Sequence, residues 1–178
     1  MANSKRIGNK NENELKKWFS SWTGWEFHRV PASGGLHWAG DQGVHGDIIP
    51  PAQHKDEFPF CIETKTRRPK VSNKSKLVRD QINIGLLLID WEDCHIMEFW
   101  NQCIDDAESI DKYPFMALRN NGMPKGCFYV FLYYKLALLL SNKFCLPFAH
   151  IPDLGISVTT TFELESVDPY ELFKYTAR

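Results

Sequence analysis

At 178 residues, with 43% hydrophobic and 24% charged side chains, the chain has the size and make-up of one ordinary globular domain, which argues against wholesale disorder. Its net charge of −1 gives no overall attraction to polyanions, so any nucleic-acid contact has to come from a local patch. The longest apolar run, Phe128 to Leu140, is broken by Lys135 and is too short to span a bilayer. The polar N-terminus has no secretory pattern, so no membrane partner is expected. The five cysteines, Cys61, Cys94, Cys103, Cys127 and Cys145, contain no C-x-x-C pair. Neither a disulfide framework nor a zinc knuckle follows from them, and a reducing cytoplasm suits them best.

The first predicted element is a helix from Gly8 to Trp22. Leu15, Trp18, Phe19 and Trp22 recur at i, i+3, i+4 and i+7, and Gly24 is the stop. A short strand is read over Trp25 to Val30, then a glycine-rich stretch without periodicity from Ala32 to Gly46. Gly46-Asp47-Ile48-Ile49 reads as a strand ended by Pro50-Pro51. A polar turn, Gln53 to Glu57, leads to a strand over Phe58 to Thr66. There Phe60 and Ile62 face one way and Cys61, Glu63 and Lys65 the other.

Arg67 to Arg79 is a basic connector, and Ile84 to Trp91 an apolar run of ambiguous type. Ile96, Phe99, Trp100, Cys103, Ile104, Ala107 and Ile110 mark a second helix. Pro114 to Arg119 and Phe128 to Tyr134 read as strands flanking an Asn-Asn-Gly turn. Asp168-Pro169 with Glu171 is a helix start. Helix, three strands, helix and two strands describe an α/β fold, a mixed central sheet flanked by helices.

The chemistry centres on Asp47 and on Glu63-Thr64-Lys65. Two carboxylates on paired strands can converge on one hard cation through oxygen ligands. Glu63 and Lys65, two apart on a strand, share a face, which delivers an ammonium to the same place. Such a trio suits phosphodiester hydrolysis, with magnesium as the cation. The plain alternative is a surface Glu/Lys pair on an exposed strand.

Several further stretches follow in order: Gly8-Asn9-Lys10-Asn11-Glu12-Asn13-Glu14-Leu15, Arg29-Val30-Pro31-Ala32-Ser33-Gly34-Gly35, Gly46-Asp47-Ile48, Ile62-Glu63-Thr64-Lys65, Trp100-Asn101-Gln102 and Lys112-Tyr113-Pro114-Phe115-Met116-Ala117. Together they resemble the PD-(D/E)XK nuclease superfamily, most closely the archaeal Holliday-junction resolvases and their phage-encoded relatives. The resemblance runs from about Lys5 to Leu132. It implies a restriction-endonuclease-like fold, with the nuclease core over about 5–134 of a single 1–178 domain and a C-terminal extension, 135–178, of unassigned role. It implies Asp47, Glu63 and Glu12 as ligands of Mg2+ (Mn2+ as substitute), Lys65 as the catalytic lysine and Gln102 near the site. Glu14 rivals Glu12, since both flank the apolar stripe, but the spacing from Gly8 favours Glu12; Gln102 reads equally as a solvent-facing or capping residue. Arg29 and Ser33 are implied DNA contacts, and a homodimer acting on branched DNA in recombination, replication or repair is implied. A phage-encoded enzyme would act in the cytoplasm of a bacterial or archaeal host.

The stretch between Ser33 and Asp47 is longer than in the compact archaeal enzymes and carries Leu36, His37, Trp38 and His45. It reads either as a DNA-touching loop, with Trp38 able to stack on an unpaired base, or as an insertion covering the sheet edge. His37 and His45 lack the spacing of a metal motif. Arg67, Arg68, Lys70, Lys74, Lys76 and Arg79 follow Lys65 with no acid between them, a basic run suited to phosphates. Two other readings stand beside the junction resolvase. One is a nuclease acting on flaps, ends or linear duplex. The other is a non-catalytic DNA-binding or scaffold protein on the same fold, against which the intact acids and lysine argue.

Overall fold

The computed structural model describes residues 2–30, 45–66, 84, 87, 94–120 and 123–176. Helix α1 (Ala2–Thr23) begins earlier than its apolar stripe, and Leu15, Trp18 and Phe19 are buried along it. Gly24 adopts φ +73°, and its N–H donates to Ser20 O at 3.0 Å, closing the helix where the sequence predicts.

The strand expected over Trp25 to Val30 contracts to β1 (His28–Arg29). The N–H groups of Trp25 and Phe27 are taken by the hydroxyls of Thr23 (3.0 Å) and Ser20 (3.1 Å), which removes them from any ladder. β2 (Ile48–Ile49) is likewise shorter than expected, and a 3-10 turn (Ala52–His54) leads to β3 (Phe60–Thr66). Helix α2 (His95–Glu108) buries Ile96, Trp100, Cys103 and Ala107, the stripe read from the sequence.

β4 (Tyr113–Arg119) and β5 (Tyr129–Tyr133) pair antiparallel, with Leu118 opposite Tyr129. The two strands lie within a residue of the expected bounds, on either side of the Asn-Asn-Gly sequence. Arg119 Nη2 donates to the carbonyls of Met123 (3.3 Å) and Pro124 (3.2 Å).

The chain continues through α3 (Tyr134–Phe144), β6 (Ala149–Ile151), β7 (Ile156–Thr160), α4 (Thr161–Leu164) and α5 (Pro169–Thr176). Asp168 Oδ1 accepts the N–H groups of Tyr170 (2.9 Å) and Glu171 (3.0 Å), so the predicted cap of α5 is formed.

Among the described residues the strands make one sheet in the order β1-β2-β3-β4-β5-β7-β6. β3 and β4 are parallel and the other neighbours antiparallel. This is the mixed, helix-flanked α/β architecture expected. Strand alternation sorts the core onto two faces. Phe60, Ile62, Phe115, Ala117, Val130 and Leu132 meet α1 and the C-terminal helices, with Phe19 at the centre of an aromatic cluster. Met116, Leu118, Phe131, Ile156 and Val158 meet α2 on the other face. The segment after Tyr133, unassigned in the sequence, thus supplies β6 and β7 to the sheet, and Phe173 of α5 packs edge-on against Trp22 of α1. No helix among the described residues is long and apolar enough to cross a membrane.

Candidate active site

The site begins with a glycine. Gly46 lies at φ +86° against β3, and a β-carbon there would stand 2.6 Å from Ile62 O. Only glycine permits that approach. The approach sets Asp47 between two strands: its N–H donates to Ile62 O at 2.8 Å, and its carbonyl accepts from Val30 N at 2.9 Å. Its side chain turns to β3, where Oδ2 accepts the Thr64 N–H at 2.8 Å.

On β3, Glu63 and Lys65 project to the α2 face, opposite Phe60 and Ile62. Ile48 pairs with Ile62, which brings Asp47 opposite Glu63 as the sequence suggests. Lys65 Nζ donates to Glu63 Oε1 at 2.5 Å and to Gln102 Oε1 at 3.2 Å, and it stands 5.1 Å from the centre of the Phe99 ring. Gln102 thus comes from α2 to meet the lysine.

The carboxylates are almost fully buried, Asp47 at 6% exposure and Glu63 at 7%. Burial, then the charge of Asp47, push the Glu63 carboxyl up to about 7, against the pull of Lys65. Burial, then the charges of Asp106, Glu63 and Asp47, push the neighbouring Cys61 thiol to about 12. The sequence does not mark Asp106, and it marks Phe99 only as part of the apolar stripe of α2. They sit four residues after and three before Gln102 on the same helix, so their spacing was the available signal. Asp106 Oδ1 lies 3.8 Å from His45 Nδ1.

Glu12 and Glu14 take different partners. Glu12 Oε2 accepts from Arg29 Nη1 at 2.8 Å, and the same Nη1 donates to Asn9 Oδ1 at 3.0 Å. Arg29 is paired in register with Ile48, on the α1 side of the sheet. Glu14 is bound by the Arg119 guanidinium, with Lys10 Nζ 3.8 Å away. Glu12 is therefore linked through Arg29 to the strand that follows Asp47, and Glu14 is tied to the C-terminal end of β4, where Arg119 pairs with Thr66. Ser33, Arg67, Arg68, Lys70, Lys74, Lys76, Arg79, His37 and Trp38 lie outside the described residues.

The donor set fits a divalent cation. Asp47 and Glu63 are buried carboxylates on neighbouring segments, the Lys65 ammonium sits on Glu63, and the Asp47 charge that adds to burial in raising Glu63 is what a hard cation relieves. Among the described residues no group of three His, Cys, Asp or Glu side chains gathers as a ligand cluster. Magnesium tolerates such a site because it is commonly held by one or two carboxylates and completes its shell with water and phosphate oxygens.

Comparison with protein families gives one finding. A family model described as phage putative PDDEXK endonuclease matches residues 3–151, a span that contains Glu12, Asp47, Glu63, Lys65 and Gln102. No curated protein and no solved structure matches the chain.

Proposed function

The chain belongs to the phage PDDEXK endonuclease family, and on that premise we propose that it is a magnesium-dependent DNA endonuclease of Holliday-junction-resolvase type. Asp47 and Glu63 would hold the ion, with manganese as a substitute and Glu12 tuning the site through Arg29. When bound, the ion supplies Lewis acidity toward a phosphoryl oxygen and a more acidic water. The chain's own residues do the rest. Asp47 is held in place by the Thr64 N–H, so its carboxylate needs no reorganisation when the substrate arrives. The Lys65 ammonium, oriented by Glu63 and Gln102, offsets the negative charge that develops on the phosphoryl group in the transition state. The basic run from Arg67 to Arg79, together with Arg29 and Ser33, holds flanking phosphates. A homodimer would present two such sites to opposed strands of a branched DNA.

The observation that carries this reading is the Asp47–Glu63–Lys65 cluster, two buried acids and an amine from adjoining strands. The test is cleavage of four-way, flap, single-stranded and linear duplex DNA, with magnesium and with EDTA. Paired, symmetric incisions in the four-way junction are expected, with none in EDTA. Intact DNA throughout would remove the nuclease reading, and cleavage confined to flaps or linear duplex would remove the resolvase part. Sedimentation of the protein alone tests the dimer.

A further inference from the structure

Where β1 and β2 meet the connection from α2 to β4, the surface forms a cavity of about 400 Å³ that the proposed hydrolysis does not use. Ile49, Pro50, Phe58 and Phe60 give it apolar walls, and His28 and His45 stand among its lining residues. His45 joins the cavity to the candidate active site. It lies two residues before Asp47, and its partner Asp106 is a carboxylate whose charge reaches Glu63.

Ser109 and Asp106 hold one edge of the His45 ring: Ser109 Oγ stands 3.3 Å and Asp106 Oδ1 3.8 Å from Nδ1. Nε2 is the second hydrogen-bonding atom of the ring. Lys55 and Lys112 also line the cavity, and Lys112 Nζ is fixed by the carbonyls of Lys55 (2.9 Å) and Phe58 (2.6 Å). The lining is thus apolar at the walls and cationic beside them, with imidazole rings among its polar groups.

Apolar walls with a few placed polar groups are what a small flat ring requires. Lysines suit a ring that arrives attached to phosphates. We propose that the cavity receives an unpaired nucleobase from the DNA strand beside the cleaved phosphate, with the His45 ring hydrogen-bonding to the base's pairing edge. That edge is occupied in an intact duplex, so the cavity selects DNA with a displaced or unpaired nucleotide. The inference rests on the nuclease reading and specifies its substrate.

The test uses the full chain in EDTA, so that no strand is cut. A labelled single-stranded oligonucleotide is compared with an abasic oligonucleotide of the same length and charge. The wild type should bind the base-bearing strand about tenfold more tightly. Ala52→Trp, which fills the cavity from the exposed 3-10 turn, should abolish that preference. His45→Ala should reduce it, and His45→Asn, which keeps a hydrogen-bonding side chain, should restore part of it. Equal wild-type affinity for the two strands, or a preference untouched by both Ala52→Trp and His45→Ala, overturns the proposal. Cleavage with magnesium is scored separately. Cleavage without a base preference removes only the cavity's role. A preference lost in Ala52→Trp without any cleavage keeps the base site and removes the hydrolase. Absence of both binding and cleavage removes both.

Discussion

Asp47 Oδ2 accepts the backbone N–H of Thr64 at 2.8 Å, so the first acid of the site is fastened to the residue between Glu63 and Lys65. Asp47→Asn keeps an acceptor oxygen for that bond and removes only the charge. It should abolish cleavage and leave DNA affinity in EDTA within about twofold, since phosphate contacts dominate affinity. Glu63→Gln should behave alike. Unchanged turnover in either variant would refute its role as a ligand. Gly46→Ala should instead act through the fold, because its β-carbon meets Ile62 O. Its midpoint in urea should show a loss of about 1–3 kcal/mol.

The pH response of the metal-free protein follows from Glu63. Its carboxyl is raised to about 7 in the fold from an ordinary value of 4.5, so the fold is favoured by protonation. That stabilisation is fully present below about pH 4.5 and is lost as pH rises through about 7. Glu63→Gln escapes the penalty. In EDTA its Tm advantage over wild type should grow from about pH 5 to about pH 8, reaching the equivalent of about 1–3 kcal/mol. Added magnesium should raise the wild-type Tm most at the upper end of that interval, because the cation displaces the proton. A Tm difference independent of pH contradicts the cause assigned to the shift.

Glu12 and Glu14 separate in two assays. Burial pushes the Glu14 carboxyl up, but the hydrogen bond and charge of Arg119 outweigh it and hold it below the ordinary value. Its stabilisation is present above about pH 4.5 and lost as pH falls. Glu14→Gln should cost about 2 kcal/mol at neutral pH with cleavage preserved. Glu12→Gln should slow cleavage about tenfold or more with little change in Tm. The reverse outcome would make Glu14 the helical acid of the site.

The basic run can be tested by salt. Replacing Arg67, Arg68 and Lys70 together with glutamine should weaken DNA binding and lower the slope of log affinity against log salt by about 2–3. An unaltered slope places the DNA elsewhere on the surface.

The interior of the aromatic cluster sets the scale for stability. Phe19 is fully buried and packs against Phe27, Phe58 and Phe115. Phe19→Ala should cost about 3–5 kcal/mol by urea unfolding. A loss under about 1 kcal/mol would show that this cluster does not support the fold.

Local chemistry alone decides much of this protein. The Leu15–Trp18–Phe19 stripe, the Asp168 cap and the alternation that puts Glu63 and Lys65 on one face all act over a few residues, where backbone period alone sets direction. The short strands were over-read for the same reason. Nothing in Trp25 to Val30 announces that the hydroxyls of Ser20 and Thr23 take its N–H groups.

Other features needed partners far along the chain. Glu12 and Glu14 both flank the apolar stripe of their helix and are told apart chiefly by Arg29 and Arg119, the second of them 105 residues from Glu14. Asp106 and Phe99 join the site only because α2 docks across β3, and the C-terminal segment finds its place only when β7 adds to β5. Side-chain direction along one element is a property of the chain's covalent geometry, whereas the neighbour it meets depends on how the sheet orders its strands, and that order is decided by burial over the whole molecule.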